Sequence, residues 1–315
     1  MSPTSGRASE RLGLAERMWK NRLLYLCLVP TFTLLLIFNY YPALSAFQKA
    51  FYRYDVGTKA EFIGLSHLLR LVRDPVIWKS AGNLLKLGLF GLAAGLIPPL
   101  IAAELIFHLR SERWRYYSRV IFVIPMVVPG VAISLIWRFM YGDAGPVSAF
   151  LELIGAESLI RGWLSDPHTV LYAIMFVGFP FITGLNLLIY YSGLANIPDS
   201  ILDAAKIDGA GILSTIFRVH LPFLMSPARI LSIMTVIAVV QGFERILIIT
   251  GAGEGTGGGP GYASMVPGLY MYYQAFSFKR MGYACAIGLA MFVVLLVITM
   301  LQMKYMRSET EYVPE

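Results

Sequence analysis

Residues 193–222 read GLANIPDSILDAAKIDGAGILSTIFRVHLP and lie between two apolar runs, 168–192 and 228–250. The segment carries Asp199, Asp203, Lys206, Asp208 and Arg218, too many charges for a stretch that crosses hydrocarbon. It is also too patterned for a passive linker. Asn196 can cap, Pro198 suits a first helical turn, and Asp199 favours the positive end of a helix. These signals predict a helix over 198–208, with Ile201, Leu202 and Ala205 on one face. Gly209 falls where a helix ends in a left-handed residue. A second short helix is expected over 212–218, closed by Leu221-Pro222 before the next apolar run. Ala204, Ala205, Gly209, Ala210 and Gly211 allow another surface to approach the bend closely. Two short angled helices form either a docking element or a hairpin that packs only on its own chain. Shape alone leaves both open.

Outward from this segment the chain becomes apolar. Of its 315 residues 57% are hydrophobic and only 14% are charged, whereas soluble domains carry about 25% charged residues. Apolar windows recur near 23–47, 84–107, 119–140, 168–192, 228–250 and 283–303. Each is long enough for a hydrocarbon core of about 30 Å. Lipid offers no partners to free backbone groups, and the runs are continuous rather than alternating, so helices are expected. The fold class expected is all-α: six transmembrane helices, with a cytoplasmic helix pair between the fourth and fifth. The first run contains Ala43-Leu44-Ser45, a small-x-small site that a cleaved signal peptide would also show. Its length, and Tyr40, Tyr41 and Pro42 before that site, favour an uncleaved span.

Lys and Arg set the orientation. Arg7, Arg11, Arg17, Lys20 and Arg22 precede the first run, and Arg110, Arg113, Arg115 and Arg119 crowd the second loop. The third loop, 141–167, has only Arg161, while Lys304 and Arg307 follow the last run. This predicts cytoplasmic termini and cytoplasmic second and fourth loops. The first loop, with six basic residues, fits less well. The domain division expected is 1–22 cytoplasmic, 23–303 membrane-embedded and 304–315 a cytoplasmic tail. Residues 10–22, with Leu12, Ala15 and Trp19 on one side, read as an amphipathic helix suited to an anionic leaflet. The net charge of +7 is thereby a membrane-orientation signal, not a nucleic-acid footprint.

Pro30, Pro98-Pro99, Pro125, Pro129 and Pro180 interrupt the apolar runs, as packing kinks or as broken helices lining a pathway. Lys86, Glu104 and Arg138 lie near span ends, within reach of the interface by snorkelling. Glu244 and Arg245 sit deeper, beside Gln241. Gln241, Glu244 and, in the fourth run, Asn186 are candidates for a solute pathway, the alternative for Glu244 being an ion pair with Arg245. Cys27 and Cys285 lie inside apolar runs and read as packing residues. His67, His108, His168 and His220 are scattered without ligand spacing and read as interfacial or surface residues. No phosphate-cradling G-x-x-x-x-G-K-[ST] is present. Gly253, Gly255 and Gly258 match G-x-G-x-x-G, but no strand precedes them, and a flexible loop is the better reading.

The fourth loop also carries a specific spacing. Asp203-Ala204-Ala205, three residues, Gly209, nine residues, Val219, one residue, Leu221-Pro222 resembles the cytoplasmic motif of ABC importer permeases, E-A-A-x3-G-x9-I-x-L-P. Asp203 stands in place of Glu and Val219 in place of Ile; Asp208 lies just before the glycine. Residues 28–44, 61–83, 119–155 and 256–261 are similar to corresponding segments of maltose- and glycerol-phosphate-type permeases, although 250–255 extend the glycine loop. This resemblance covers about 20–305. It implies a permease, not an enzyme, with alternating access for a carbohydrate or related solute in the bacterial cell membrane. Its implied partners are cytoplasmic ATPase subunits holding ATP and Mg, a second permease subunit and an extracytoplasmic solute-binding protein. Asp203, Ala204, Ala205, Asp208, Gly209, Leu221 and Pro222 would receive the ATPase. A self-contained secondary transporter or channel would instead need a string of deep acids or histidines, and would leave the fourth loop unexplained.

Overall fold

A computed structural model describes residues 22–55, 57, 59–251 and 257–305. Residues 10–21 of the expected amphipathic helix, 252–256 of the glycine stretch and 306–315 of the tail lie outside the described residues.

The chain is mostly helical, with one small antiparallel ribbon, β1 (Tyr52–Arg53) on β2 (Glu61–Phe62). Helix α1 (Arg22–Leu35) runs through a wide π turn, Leu36–Tyr40, into α2 (Tyr41–Lys49). Pro42 lacks an N–H and its ring clashes with the carbonyl four residues back; the π turn just before it gives the room. After the ribbon come α3 (Ser66–Arg73) and α4 (Pro75–Phe107), the longest helix described. Its 33 residues span about 50 Å at the α-helical rise.

The remaining windows differ in continuity. Four stretches are long and apolar enough to cross a membrane as single helices: Tyr25–Lys49, Pro75–Phe107, Ile212–Gln241 and Met281–Tyr305. The 119–140 window is a bent pair. Helix α5 (Glu112–Val123) continues in a 3₁₀ turn to Val127, and α6 (Gly130–Met140) departs at 88°. Pro125 and Pro129 flank the break and withdraw two amide donors. After α7 (Pro146–Leu153), the 168–192 window is likewise not one helix. It divides into α8 (Val170–Phe176) and α9 (Gly184–Ala195) around Gly178, a cis Phe179–Pro180 bond and Phe181, with positive φ at 178 and 181. So the six windows give four or five candidate spans plus one split window.

The hairpin segment follows as α10 (Asp199–Ile207) and α11 (Ile212–Thr215). Contrary to the sequence expectation, Leu221-Pro222 does not close the second helix. A π turn, Ile216–His220, carries α11 straight into α12 (Leu221–Gln241), again just before a proline. The fifth window then breaks at Gly242–Phe243, before α13 (Glu244–Thr250). Helices α14 (Pro267–Tyr272) and α15 (Met281–Tyr305) complete the fold.

Helix α4 gathers several of the other elements. It lies against α9 and α12, while α13 packs on α6, and α15 on α2, α3 and α14. Gly184 opens α9 where its backbone meets the end of α5: a Cβ there would lie 2.8 Å from the Phe122 carbonyl. Each end of α4 holds a core. At its start, Ile77 joins Val170, Ile174, Ile246, Ile249, Leu269 and Tyr283; near its end, Ala103 joins Tyr190, Leu194, Leu224 and Leu231. The outer faces are apolar as well: Leu85, Leu89, Ile97 and Ile101 of α4 are all more than half exposed, as suits contact with lipid or another apolar surface.

The first core is tied by Asp74. One carboxylate oxygen accepts from the Val76 amide at 2.9 Å and caps α4. The other accepts from the hydroxyls of Tyr270 at 2.9 Å and Tyr283 at 2.7 Å. Thus α14 and α15 are fastened to the start of α4 by one side chain. Asp74→Ala is expected to destabilise the purified protein by about 3 kcal/mol, and Tyr270→Phe by about 1 kcal/mol, read from unfolding in detergent. Equal stability of both variants and the parent would show that the cap and the tyrosine bonds contribute nothing.

Candidate coupling site

The segment 193–222 folds as an exposed hairpin on the second core. Asn196 does not cap α10; it ends α9, its amide donating to the Ser192 carbonyl at 3.1 Å. Pro198 takes the N-cap position of α10 and Asp199 its first turn. The end of the helix follows the sequence expectation. Gly209 has φ +73°; its amide donates to the Lys206 carbonyl at 3.0 Å, and the Ala210 amide to the Ala205 carbonyl at 2.9 Å. These are the two bonds of a Schellman closure.

The hairpin has two faces. Ile201 and Leu202 pack with Val219 on the core around Leu194, Ile197 and Leu224. Outward, Ile207 is 87% exposed, Leu213 71%, Ile212 67% and Phe217 65%. Asp203, Ala204, Asp208, Gly209 and Pro222 are exposed too, whereas Ala205 and Leu221 are half-buried. Asp203 accepts from Lys206 Nζ at 2.8 Å, and this bond pushes the lysine pKa up. Both side chains are well exposed, so the pair adds little to stability. An apolar outer face bordered by charges is the form of a contact surface, because leaving it in water is unfavourable.

At the root of the hairpin two residues differ from the sequence expectation. His220 is 2% exposed and Glu104 7%, and they meet: His220 Nδ1 lies 3.0 and 3.1 Å from the two carboxylate oxygens of Glu104. Glu104 therefore does not snorkel, and His220 is not a surface residue. The pair joins positions 116 apart in the chain, so no local spacing reports it. The only trace in the sequence was that each polar residue stood among apolar ones. His67 is also buried, its Nε2 3.2 Å from the Tyr52 carbonyl, and burial lowers its pKa. His168 is exposed as expected.

The three pathway candidates do not form one cluster. Gln241 and Glu244 are exposed on either side of the Gly242–Phe243 break, at the end of α12 and the start of α13. Glu244 and Arg245 are consecutive helical residues and do not face each other. Asn186 also holds a packing bond. Pro99 cannot donate to the Gly95 carbonyl one turn back in α4. Asn186 Nδ2 of α9 donates to that carbonyl at 2.8 Å. A Cβ on Gly95 would also touch Thr235. Asn186 thus lies level with Thr235, about 9 Å along α12 from Gln241. Among the described residues no group of three His, Cys, Asp or Glu could hold a metal ion.

A multi-span helical protein with broken spans and an exposed helical hairpin has the architecture of a membrane transport subunit. The chain belongs to the family of binding-protein-dependent transport system inner membrane components, whose model matches residues 95–308 and so includes the hairpin. It is a permease subunit of an ABC importer and a multi-pass inner-membrane protein. Among its relatives are the probable ABC transporter permease protein YurN of Bacillus subtilis and the multiple sugar-binding transport system permease protein MsmF of Streptococcus mutans. YurN is 29% identical, over 91% of this chain and 97% of YurN; MsmF is 29% identical, over 88% and 92%. In structure the chain is similar to a chain of a bacterial ABC transporter that imports the acidic polysaccharide alginate. The TM-score is 0.80 at 24% identity, covering 95% of this chain and 99% of the other.

The packing role of Asn186 can be checked with a double-variant cycle. Asn186→Ala should lower the unfolding free energy by about 1–3 kcal/mol, the cost of an unpaired buried carbonyl, with the apparent affinity for solute unchanged. Adding Pro99→Ala restores a helical donor to Gly95 and should recover most of the loss. Weakened affinity at full stability would assign Asn186 to the pathway instead.

Proposed function

We propose that this chain is one half of the translocation core of an ATP-driven carbohydrate importer, and that the hairpin Asp203–Pro222 receives the stroke of a cytoplasmic ATPase. ATP and Mg belong to that partner. A second permease subunit covers the exposed apolar faces, and an extracytoplasmic binding protein delivers the solute. In this reading both termini and the hairpin are cytoplasmic, and the chain crosses six times, with 168–192 as a broken span. The names of relatives such as MsmF and the alginate importer support a sugar or sugar-like solute. Gln241 and Glu244, exposed at the break in the fifth window, are its proposed contacts.

The observation that carries the coupling role is the two-sidedness of the hairpin. It is anchored inward by Ile201, Leu202 and Val219, and left apolar outward at Ile207, Ile212, Leu213 and Phe217. Ile207 lies outside the apolar stretch Ile212–Gln241, beside the charged Lys206 and Asp208, and its exposure supports a partner surface there.

Gly209 separates docking from folding. Among the described residues no atom beyond its chain neighbours lies within 4 Å of a Cβ placed there, so added bulk points away from the described fold. The left-handed backbone costs a non-glycine residue about 1 kcal/mol, and asparagine tolerates it best. Gly209→Asn should preserve assembly and uptake. Gly209→Trp should leave the chain folded in the membrane but remove the ATPase from the purified complex, or uncouple hydrolysis from uptake. Normal complex yield and normal uptake with tryptophan would refute the assignment.

A further inference from the structure

We propose that Glu104 and His220 are a positioning pair that transmits movement of the hairpin into α4; this rests on the hairpin being the ATPase contact. His220 is the residue between Val219 and Leu221-Pro222, the last position of the π turn that joins α11 to α12. Glu104 lies one turn before the end of α4. The bond between them is the polar connection from the root of the hairpin to the axial helix. His220 Nδ1–H donates to the carboxylate, and His108 Nδ1–H donates to the Glu104 backbone carbonyl at 2.8 Å. The Phe107 ring stands edge-on to His220, with centroids 5.5 Å apart, and closes the site.

Stability is a poor reason for this arrangement. Burying a carboxylate costs more than its partner commonly returns, and apolar residues of similar size often serve as well or better. What an apolar contact cannot do is fix direction. Ile201, Leu202 and Val219 can slide over their core, whereas a hydrogen bond weakens steeply as its angle opens. A tilt of α10 and α11 therefore pulls on Glu104 in a way that it does not pull on the surrounding leucines.

The helix that is pulled is built to respond. Pro98 and Pro99 remove two intrahelical bonds five and six residues before Glu104. The end of α4 is thus a short lever, hinged at Pro99. The hinge carbonyl of Gly95 is held by Asn186 of α9, which leads back into the hairpin. Hairpin, lever and hinge form one closed path through α12, α4 and α9. A π turn at His220 supplies the local slack such a joint requires.

The test uses the complete importer in proteoliposomes, with ATP hydrolysed per solute imported as the readout. Glu104→Gln keeps an acceptor for His220 and should retain the parental ratio. Glu104→Leu combined with His220→Leu fills the site with apolar bulk, so the complex should assemble with normal yield and thermal stability. In this variant the ratio should rise about fivefold or more, the scale of a lost coupling interaction. A ratio within about twofold of the parent would overturn the proposal and leave the pair as packing. Glu104→Ala and His220→Ala should each raise the ratio, with the double alanine variant no worse than either, as expected of one shared contact. Gly209→Trp run in parallel keeps the two ideas apart. Disruption by tryptophan with normal coupling in the leucine pair sinks the joint and spares the hairpin; normal coupling in both sinks the hairpin as well.

Discussion

In hydrocarbon a backbone carbonyl that loses its helical donor has no water to turn to and must find a replacement inside the protein. That constraint governs α4, and through α4 the arrangement of the rest. Pro99 takes the donor from Gly95, and the replacement is the Asn186 side chain, which fixes α9 at one height and one rotation against α4. Absence of a side chain at Gly95 lets α12 come close enough for Thr235 to reach the same spot. Three helices therefore meet where one hydrogen bond is missing. The position of the hairpin follows, because α9 leads into it and α12 leads out.

The same rule accounts for the places where the chain departs from straight helices. Wide π turns precede Pro42 and Pro222, so each proline is accommodated without ending its helix. Around Pro125 and Pro129 there is no such turn, and the helix bends by 88°. Pro30, Pro98, Pro99 and Pro227 stay inside α-helices without either device, so a proline in an apolar run has several outcomes that the sequence of the run does not tell apart. In the windows at 119–140 and 168–192 the sequence marks Pro125, Pro129 and Pro180 as kinks or breaks, but hydropathy does not register which of these results, nor the positive φ of Gly178 and Phe181. The extent of α10 was legible for the opposite reason. Its end signal is local: the small residue at Gly209 adopts the left-handed conformation that closes the two capping bonds.

Legibility of the site divides along the same line. Ile201 and Leu202 face inward as their helical spacing requires, and Gly209 ends the helix as its position requires. Glu104 and His220 were assigned to interfaces one residue at a time, and each assignment was reasonable for an isolated polar residue near a span end. Their pairing depends on α12 running antiparallel to α4, a tertiary fact with no periodicity in the sequence. Asn186, a pathway candidate by its place in a span, is with Pro99 in view also the replacement donor for a carbonyl one turn before that proline.

These features divide the protein into a fixed end and a movable one. At the start of α4 the carboxylate of Asp74 gathers α14 and α15 by two tyrosine hydroxyls and caps the helix with its other oxygen. That end has three directional bonds to one side chain, and beyond Pro75 in the first turn no proline interrupts the helix before Pro98. At the far end two prolines loosen α4 shortly before Glu104, and the hairpin rests on apolar contacts with a single buried polar bond. In the proposed coupling, a stroke on the hairpin would bear on the end of α4 that carries Glu104, not on the end tied by Asp74. The segment between Pro99 and Phe107 that would take up such a stroke packs against Leu187, Tyr190 and Leu194 of α9.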